Sequence, residues 1–270
     1  KNTAGNRRYQ EFITRYNIYY NGDTHFKETL SDMESKYEDD YTRNVFMHPV
    51  EARNDKSAPQ PSGDFTRSIE KAQKAIQLRS IKKKPAKKAG RRNDPAYKEW
   101  MKRDEYNPFL HNAWMMMGRS QYYNGDFLGA ASTFFYISRH FTWLPKTVTE
   151  ARLFQALSYI GLGWQFEAEV ILRRITVDDL PTNGLRRLYN FVYADYYIHE
   201  SKYEEALPFL VKAVKGAKGA QKTRLNFLLG QVYERLGQNE LAYKAFAAAG
   251  GSASAPYRPK FNARIKQSEV

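Results

Sequence analysis

Four stretches of this chain carry one pattern of small and large residues, and a repeat of this length restricts the possible folds more than any other property of the sequence. Aligned from His111, Thr149, Arg187 and Thr223, the eighth position reads Gly118, Ala156, Ala194 and Gly230. The twentieth is always alanine (Ala130, Ala168, Ala206, Ala242), and four residues later stand Phe134, Leu172, Leu210 and Phe246. The eleventh position reads Gln121, Tyr159, Tyr197 and Tyr233. Small residues at fixed places let two antiparallel helices approach closely, and bulky ones fill the gap to the next pair. A turn signal separates the two halves each time: Asn124-Gly125-Asp126, Gly161-Leu162-Gly163, Glu200-Ser201-Lys202 and Gly237-Gln238-Asn239. Glycine ends a helix in the left-handed conformation, and Asp or Asn caps the next.

This is the tetratricopeptide pattern, with Trp114 at the aromatic fourth position of the first repeat. The predicted fold is therefore all-α, a right-handed tetratricopeptide solenoid of antiparallel helix pairs. Repeat starts lie 38, 38 and 36 residues apart, longer than the usual ~34, so linkers such as Thr176 to Asn183 carry short insertions. About four repeats fill 96–255. Ahead of them, 1–38 reads as a degenerate helical repeat with a turn at Asn21-Gly22-Asp23, and 39–63, with three prolines and no sustained apolar period, as a loop. Residues 64–80 read as a helix capped by Asp64, 81–95 as a basic flexible loop, and 256–270 as a capping or next-repeat helix with Tyr257, Phe261 and Ile265 at helical spacing.

The sequence offers no constellation for catalysis or metal binding, so neither enzymatic activity nor a cofactor is expected. Without cysteine there is no thiol chemistry and no Cys-type zinc site. The five histidines (His25, His48, His111, His140, His199) include no i, i+4 pair. Gly216 to Thr223, GAKGAQKT, resembles a phosphate loop, but Gln221 stands where its glycine is needed, and a junction between helix pairs explains the segment better. No stretch approaches the roughly 20 apolar residues that span a bilayer, so the chain as given is expected to be soluble.

Binding is the remaining class. In such arrays the first helices line a concave face, here presenting Met115, Arg119, Tyr122, Tyr123, Leu153, Leu157, Phe191, Asp195, Phe227, Gln231 and Arg235. Apolar residues at the fifth positions argue against a carboxylate clamp. The face either receives an extended segment or helix of a partner or is covered by other parts of the same chain. The net charge of +14 is half local, because seven of the eleven residues from Lys82 to Arg92 are basic (Lys82, Lys83, Lys84, Lys87, Lys88, Arg91, Arg92). That tract reads as a solvated loop, an anionic-lipid contact or a site for an acidic partner. With no groove-entering element or stacking platform beside it, nucleic acid is not the expected partner.

Lys1-Asn2-Thr3 with Tyr16-Asn17-Ile18-Tyr19-Tyr20-Asn21-Gly22, Glu105-Tyr106-Asn107-Pro108-Phe109, Ala113-Trp114-Met115-Met116-Met117-Gly118 and Gln121-Tyr122-Tyr123-Asn124-Gly125-Asp126 resemble the N-terminal portion of the Bacteroidetes PorW/SprE lipoproteins, tetratricopeptide proteins associated with type IX secretion and gliding motility. The resemblance implies a lipidated cysteine just before the region matching Lys1. It also implies a periplasmic location at the outer membrane and a scaffold whose partners are other proteins of the envelope or secretion machine. Two alternatives of other classes are a basic adaptor binding nucleic acid or an acidic partner through the Lys82 to Arg92 tract, and an accessory to a cell-wall enzyme whose catalytic part lies beyond Val270.

Overall fold

A computed structural model describes residues 1–251 and 256–270; Ser252 to Ala255, the end of the predicted array, lie outside the described residues. Among those described there are thirteen α-helices and no strand: α1 (Ala4–Ile13), α2 (Tyr20–Lys36), α3 (Thr66–Arg79), α4 (Pro95–Lys102), α5 (Leu110–Tyr123), α6 (Phe127–His140), α7 (Pro145–Gly161), α8 (Gln165–Leu172), α9 (Asn183–His199), α10 (Tyr203–Gly216), α11 (Gly219–Arg235), α12 (Asn239–Gly250) and α13 (Tyr257–Glu269). They form two compact units: Lys1–Thr29 with Asp64–Gln155, and Leu30–Gly63 with Ala156–Val270. The chain is all-helical and packs in successive pairs, α5 on α6, α9 on α10 and α11 on α12.

The repeat positions do what their sizes suggest. A Cβ built on Gly118 would meet the Phe134 ring at 2.8 Å, and one on Gly230 would meet the Phe246 ring at 2.5 Å, so in both pairs the missing side chain makes room for the aromatic ring. Ala130, Ala168, Ala206 and Ala242 are all fully buried. The turns also repeat. Gly125, Gly163, Ser201 and Gly237 all have positive φ (86°, 75°, 56° and 68°). The next residue's N–H reaches back to the eleventh-position carbonyl each time: Asp126 to Gln121, Trp164 to Tyr159, Lys202 to Tyr197 and Gln238 to Tyr233, at 2.8–3.0 Å. This six-to-one bond satisfies a carbonyl that the helix end would leave orphaned. The phosphate-loop look-alike is the junction where α10 ends at Gly216 and α11 begins at Gly219.

In the first unit, α1 runs through a π-helical turn, Thr14–Tyr19, into α2. The turn predicted at Asn21-Gly22-Asp23 does not form; these residues are helical. Gly22 is needed for packing instead, since a Cβ there would lie 2.7 Å from Met116 Cε and 3.1 Å from Lys71 Cβ. Its carbonyl also accepts the Ser68 hydroxyl of α3 (3.0 Å). Helix α3 begins two residues after Asp64, whose carboxylate accepts the Thr66 N–H at 2.8 Å, and packs along α5. In the second unit, the core gathers Leu210, Phe227, Leu228, Val232 and Phe246 around α9 to α12, and α13 packs on α12.

Candidate functional site

The inner face of the second unit is lined by α9 and α11, and residues 37–63 lie across it as a strap. The loop predicted for 39–63 is irregular apart from a 3-10 turn at Pro49–Asn54, but it is not a solvated linker: Val45, Met47, Val50 and Ala52 are each at most 4% exposed. Val45 and Met47 belong to the same core cluster as Phe227 and Phe246. The polar residues of the face close on the strap. Arg224 Nε sits 3.0 Å from both carboxylate oxygens of Asp39, with the two side chains only 4% and 6% exposed. Burial pushes the Asp39 carboxyl up, and the Arg224 charge pulls it part of the way back. The Tyr41 ring packs edge-on against Phe227 at 4.8 Å. Gln231 accepts the Val45 N–H (2.9 Å) and donates to the Arg43 carbonyl (2.8 Å), so one side-chain amide pairs with the strap backbone as a neighbouring strand would. Arg235 donates to Asn44 Oδ1 (3.0 Å), and Gln221 to the Met47 carbonyl (2.6 Å).

Further along the strap, Glu51 meets the end of α9. The Glu51 Oε1 atom accepts the His48 N–H at 2.7 Å, the reciprocal half of a capping box at the 3-10 turn, which turns Oε2 toward His199 Nε2 at 3.3 Å. Asp195, one helical turn before His199, places Oδ1 3.4 Å from the same nitrogen. Asp195 is 1% exposed, and its Oδ1 has no hydrogen-bond partner. Burial and the Glu51 charge push the Asp195 carboxyl up. For His199, burial alone would lower the imidazole. The Glu51 hydrogen bond and the Asp195 and Glu51 charges outweigh it and raise the group to about 9.

Of the two alternatives for this face, a partner's groove or a surface covered by the same chain, each unit takes the second. In the second unit Asp195, Phe227, Gln231 and Arg235 face the strap, while Leu157 is 3% exposed and Phe191 packs half-buried against the core. In the first unit Met115, Tyr122 and Leu153 are buried. Arg119 lies over the Phe26 ring of α2 (4.9 Å), and Tyr123 packs against Phe26 and Phe65. The physical reason is the same in both units: an inner face that is apolar between its polar positions costs free energy if left wet, and the chain supplies its own cover.

The basic tract stands where a solvated loop would, with Lys82, Lys83, Lys84, Lys87, Lys88, Arg91 and Arg92 all exposed. Its backbone is tethered: Tyr97 Oη accepts the Lys88 N–H (3.0 Å), Asn2 donates to the Lys83 carbonyl (2.7 Å), and Ile81 exchanges hydrogen bonds with Glu105 and Tyr106. Also in the first unit, Tyr9, Phe12, Tyr16 and Tyr20 follow at helical spacing along one continuous helical stretch and are 57%, 59%, 57% and 62% exposed.

With this geometry in view, comparison adds no family. The sequence matches no family model. It matches no curated protein. Two groups of residues escaped the sequence reading. The Glu51, Asp195 and His199 group is not legible in the sequence, because Asp195 and His199 stand at i, i+4 on α9 but Glu51 is more than a hundred residues away. The exposed aromatic row was missed because these residues look like the buried side of an ordinary amphipathic helix.

Proposed function

We propose that this chain is a non-catalytic protein-interaction scaffold of the tetratricopeptide type, related to the PorW/SprE-like lipoproteins and held in the periplasm at the outer membrane among components of type IX secretion or a related envelope assembly. The repeat supports the tetratricopeptide assignment through the Gly118–Phe134 and Gly230–Phe246 packing and the four left-handed turns. The observation that carries the binding role is the row Tyr9, Phe12, Tyr16 and Tyr20, four aromatic side chains each more than half exposed on one helical face. Aromatic residues left at the surface in a contiguous row mark contact sites more often than solvated ones. The strap covers the concave face of the second unit, so partners are met on such outer surfaces.

The test is crosslinking capture from native envelopes with the full-length protein, its four row residues either intact or all changed to serine. Secretion-machine subunits recovered by the intact protein and lost from the variant, at unchanged circular dichroism, support the assignment. The same subunits recovered by both place the contact elsewhere and refute the role of the row. A second reading, an adaptor for nucleic acid or an acidic partner, rests on the seven exposed basic side chains between Lys82 and Arg92. It requires binding that weakens steeply with salt and disappears when those lysines become glutamine.

A further inference from the structure

We propose that Glu51, Asp195 and His199 form a binding site for a divalent transition-metal ion of the zinc type, which fastens the strap to α9. Three observations carry it. The first is spacing. A tetrahedral ion with ligands at about 2.0–2.1 Å separates neighbouring ligand atoms by about 3.3 Å. His199 Nε2 lies 3.3 Å from Glu51 Oε2 and 3.4 Å from Asp195 Oδ1, with the three ligand atoms all within 4.8 Å of one another.

The second is an unmet need. Asp195 Oδ1 is buried without a hydrogen-bond partner and points into the group. A buried carboxyl in that state either keeps a proton or is met by a cation. Two carboxylates and a neutral imidazole carry a charge of −2, which a divalent ion balances.

The third is support around the ligands. Asp195 and His199 sit one turn apart on a helix, so their separation is fixed by the backbone. Glu51 is held by the His48 N–H on its other oxygen, an outer hydrogen bond of the kind that orients metal ligands. The His199 side chain is 31% exposed, which leaves a path for the ion and a fourth position for water. One imidazole with only two carboxylates favours zinc over magnesium or calcium, which take six or more oxygens. Binding of the ion displaces to solvent any proton that His199 or Asp195 carries.

The experiment uses the full chain, stripped with chelator and dialysed. Co2+ serves as the optical substitute and Zn2+ is followed by calorimetry, with Mg2+ as control. Expected are the visible absorption of four-coordinate Co2+ at one equivalent, its displacement by Zn2+ and its indifference to Mg2+. Hydrogen exchange of the 39–63 amides should slow on adding Zn2+. His199→Gln and Glu51→Gln should each weaken Zn2+ binding about 10-fold or more. These two residues have an accessible or loop position, so their variants fold even where Asp195→Asn does not, and the spectrum of the unaltered protein needs no variant. Saturable Zn2+ binding that His199→Gln leaves unchanged, absence of the Co2+ absorption, or equal affinity for Mg2+ would each overturn the proposal.

Discussion

Replacing Gly230 with alanine sets two physical effects against each other, and the structure decides the sign. In the interior of α11, alanine gains about 1 kcal/mol over glycine from helix propensity alone. Against this, the new Cβ would meet Phe246 Cε1, Cδ1 and Cζ at 2.5, 2.6 and 2.8 Å, where carbon atoms settle at about 3.5–4.0 Å. The ring must therefore retreat by nearly 1 Å. It has no room to do so, because Phe246 is fully buried and packs edge-on against Phe227 at 5.2 Å. Overpacking of this kind costs about 1–3 kcal/mol, and a shortfall this large belongs at the upper end. Gly230→Ala is expected to destabilise the second unit by about 1–2 kcal/mol net, read as a fall in the urea midpoint by far-UV circular dichroism. Gly5→Ala in α1, where a Cβ meets nothing within 4 Å, should not destabilise. Adding Phe246→Leu should recover part of the loss, with a coupling of about 1–3 kcal/mol in the double-mutant cycle. A raised midpoint for Gly230→Ala, or additive effects of the two changes, would refute the account of why small and aromatic residues recur together in this chain.

Ser201 is the non-glycine residue with positive φ at a repeat turn, so Ser201→Gly should raise stability by about 0.5–1 kcal/mol, seen as a higher thermal midpoint. Arg224→Met strands the buried Asp39 carboxylate and should cost about 3–5 kcal/mol, whereas adding Asp39→Asn should restore much of it; equal losses in single and double variants would show that the pair is not what holds the strap. His111 has its pKa lowered by burial, only partly offset by its hydrogen bond to the Pro108 carbonyl. A depressed histidine contributes stability that is present above its ordinary value of 6.5 and lost as pH falls through the folded value. Its imidazole proton resonances should therefore titrate below 6.5, and a midpoint at or above that value would contradict the burial argument.

Two identical tripeptides show how far local signals reach. Asn-Gly-Asp occurs at 21–23 and at 124–126. The second is the turn the sequence predicts: Gly125 is left-handed, and Asp126 accepts the Gly129 N–H at 2.9 Å as the cap of α6. The first continues a helix. The tripeptide permits both conformations, and tertiary packing chooses, because Met116 and Lys71 fill the space a side chain at Gly22 would need. The helix pairs from α5 to α12 were legible because their spacing is local and repeats. The fate of Asn21-Gly22-Asp23 was not, because it depends on contacts with α3 and α5 that no short window contains.

The strap marks the same boundary at the inner face. Helical period places Asp195, Arg224, Phe227, Gln231 and Arg235 on one side of α9 and α11, and that much follows from sequence. What covers them does not, since residues 37–63 have no period to read. The clue lay in the mixture. Arginine, glutamine and aspartate set among phenylalanines on a narrow face must find partners if that face is buried, and a loop carrying Val45, Met47 and Val50 loses free energy if it stays in water. Each requirement meets the other. Gln231 takes both an N–H and a carbonyl from the strap, and Arg224 takes its carboxylate. A face with its polar groups so matched to one segment of its own chain is specified for that segment, and an incoming peptide would have to replace every one of those bonds to gain the same site.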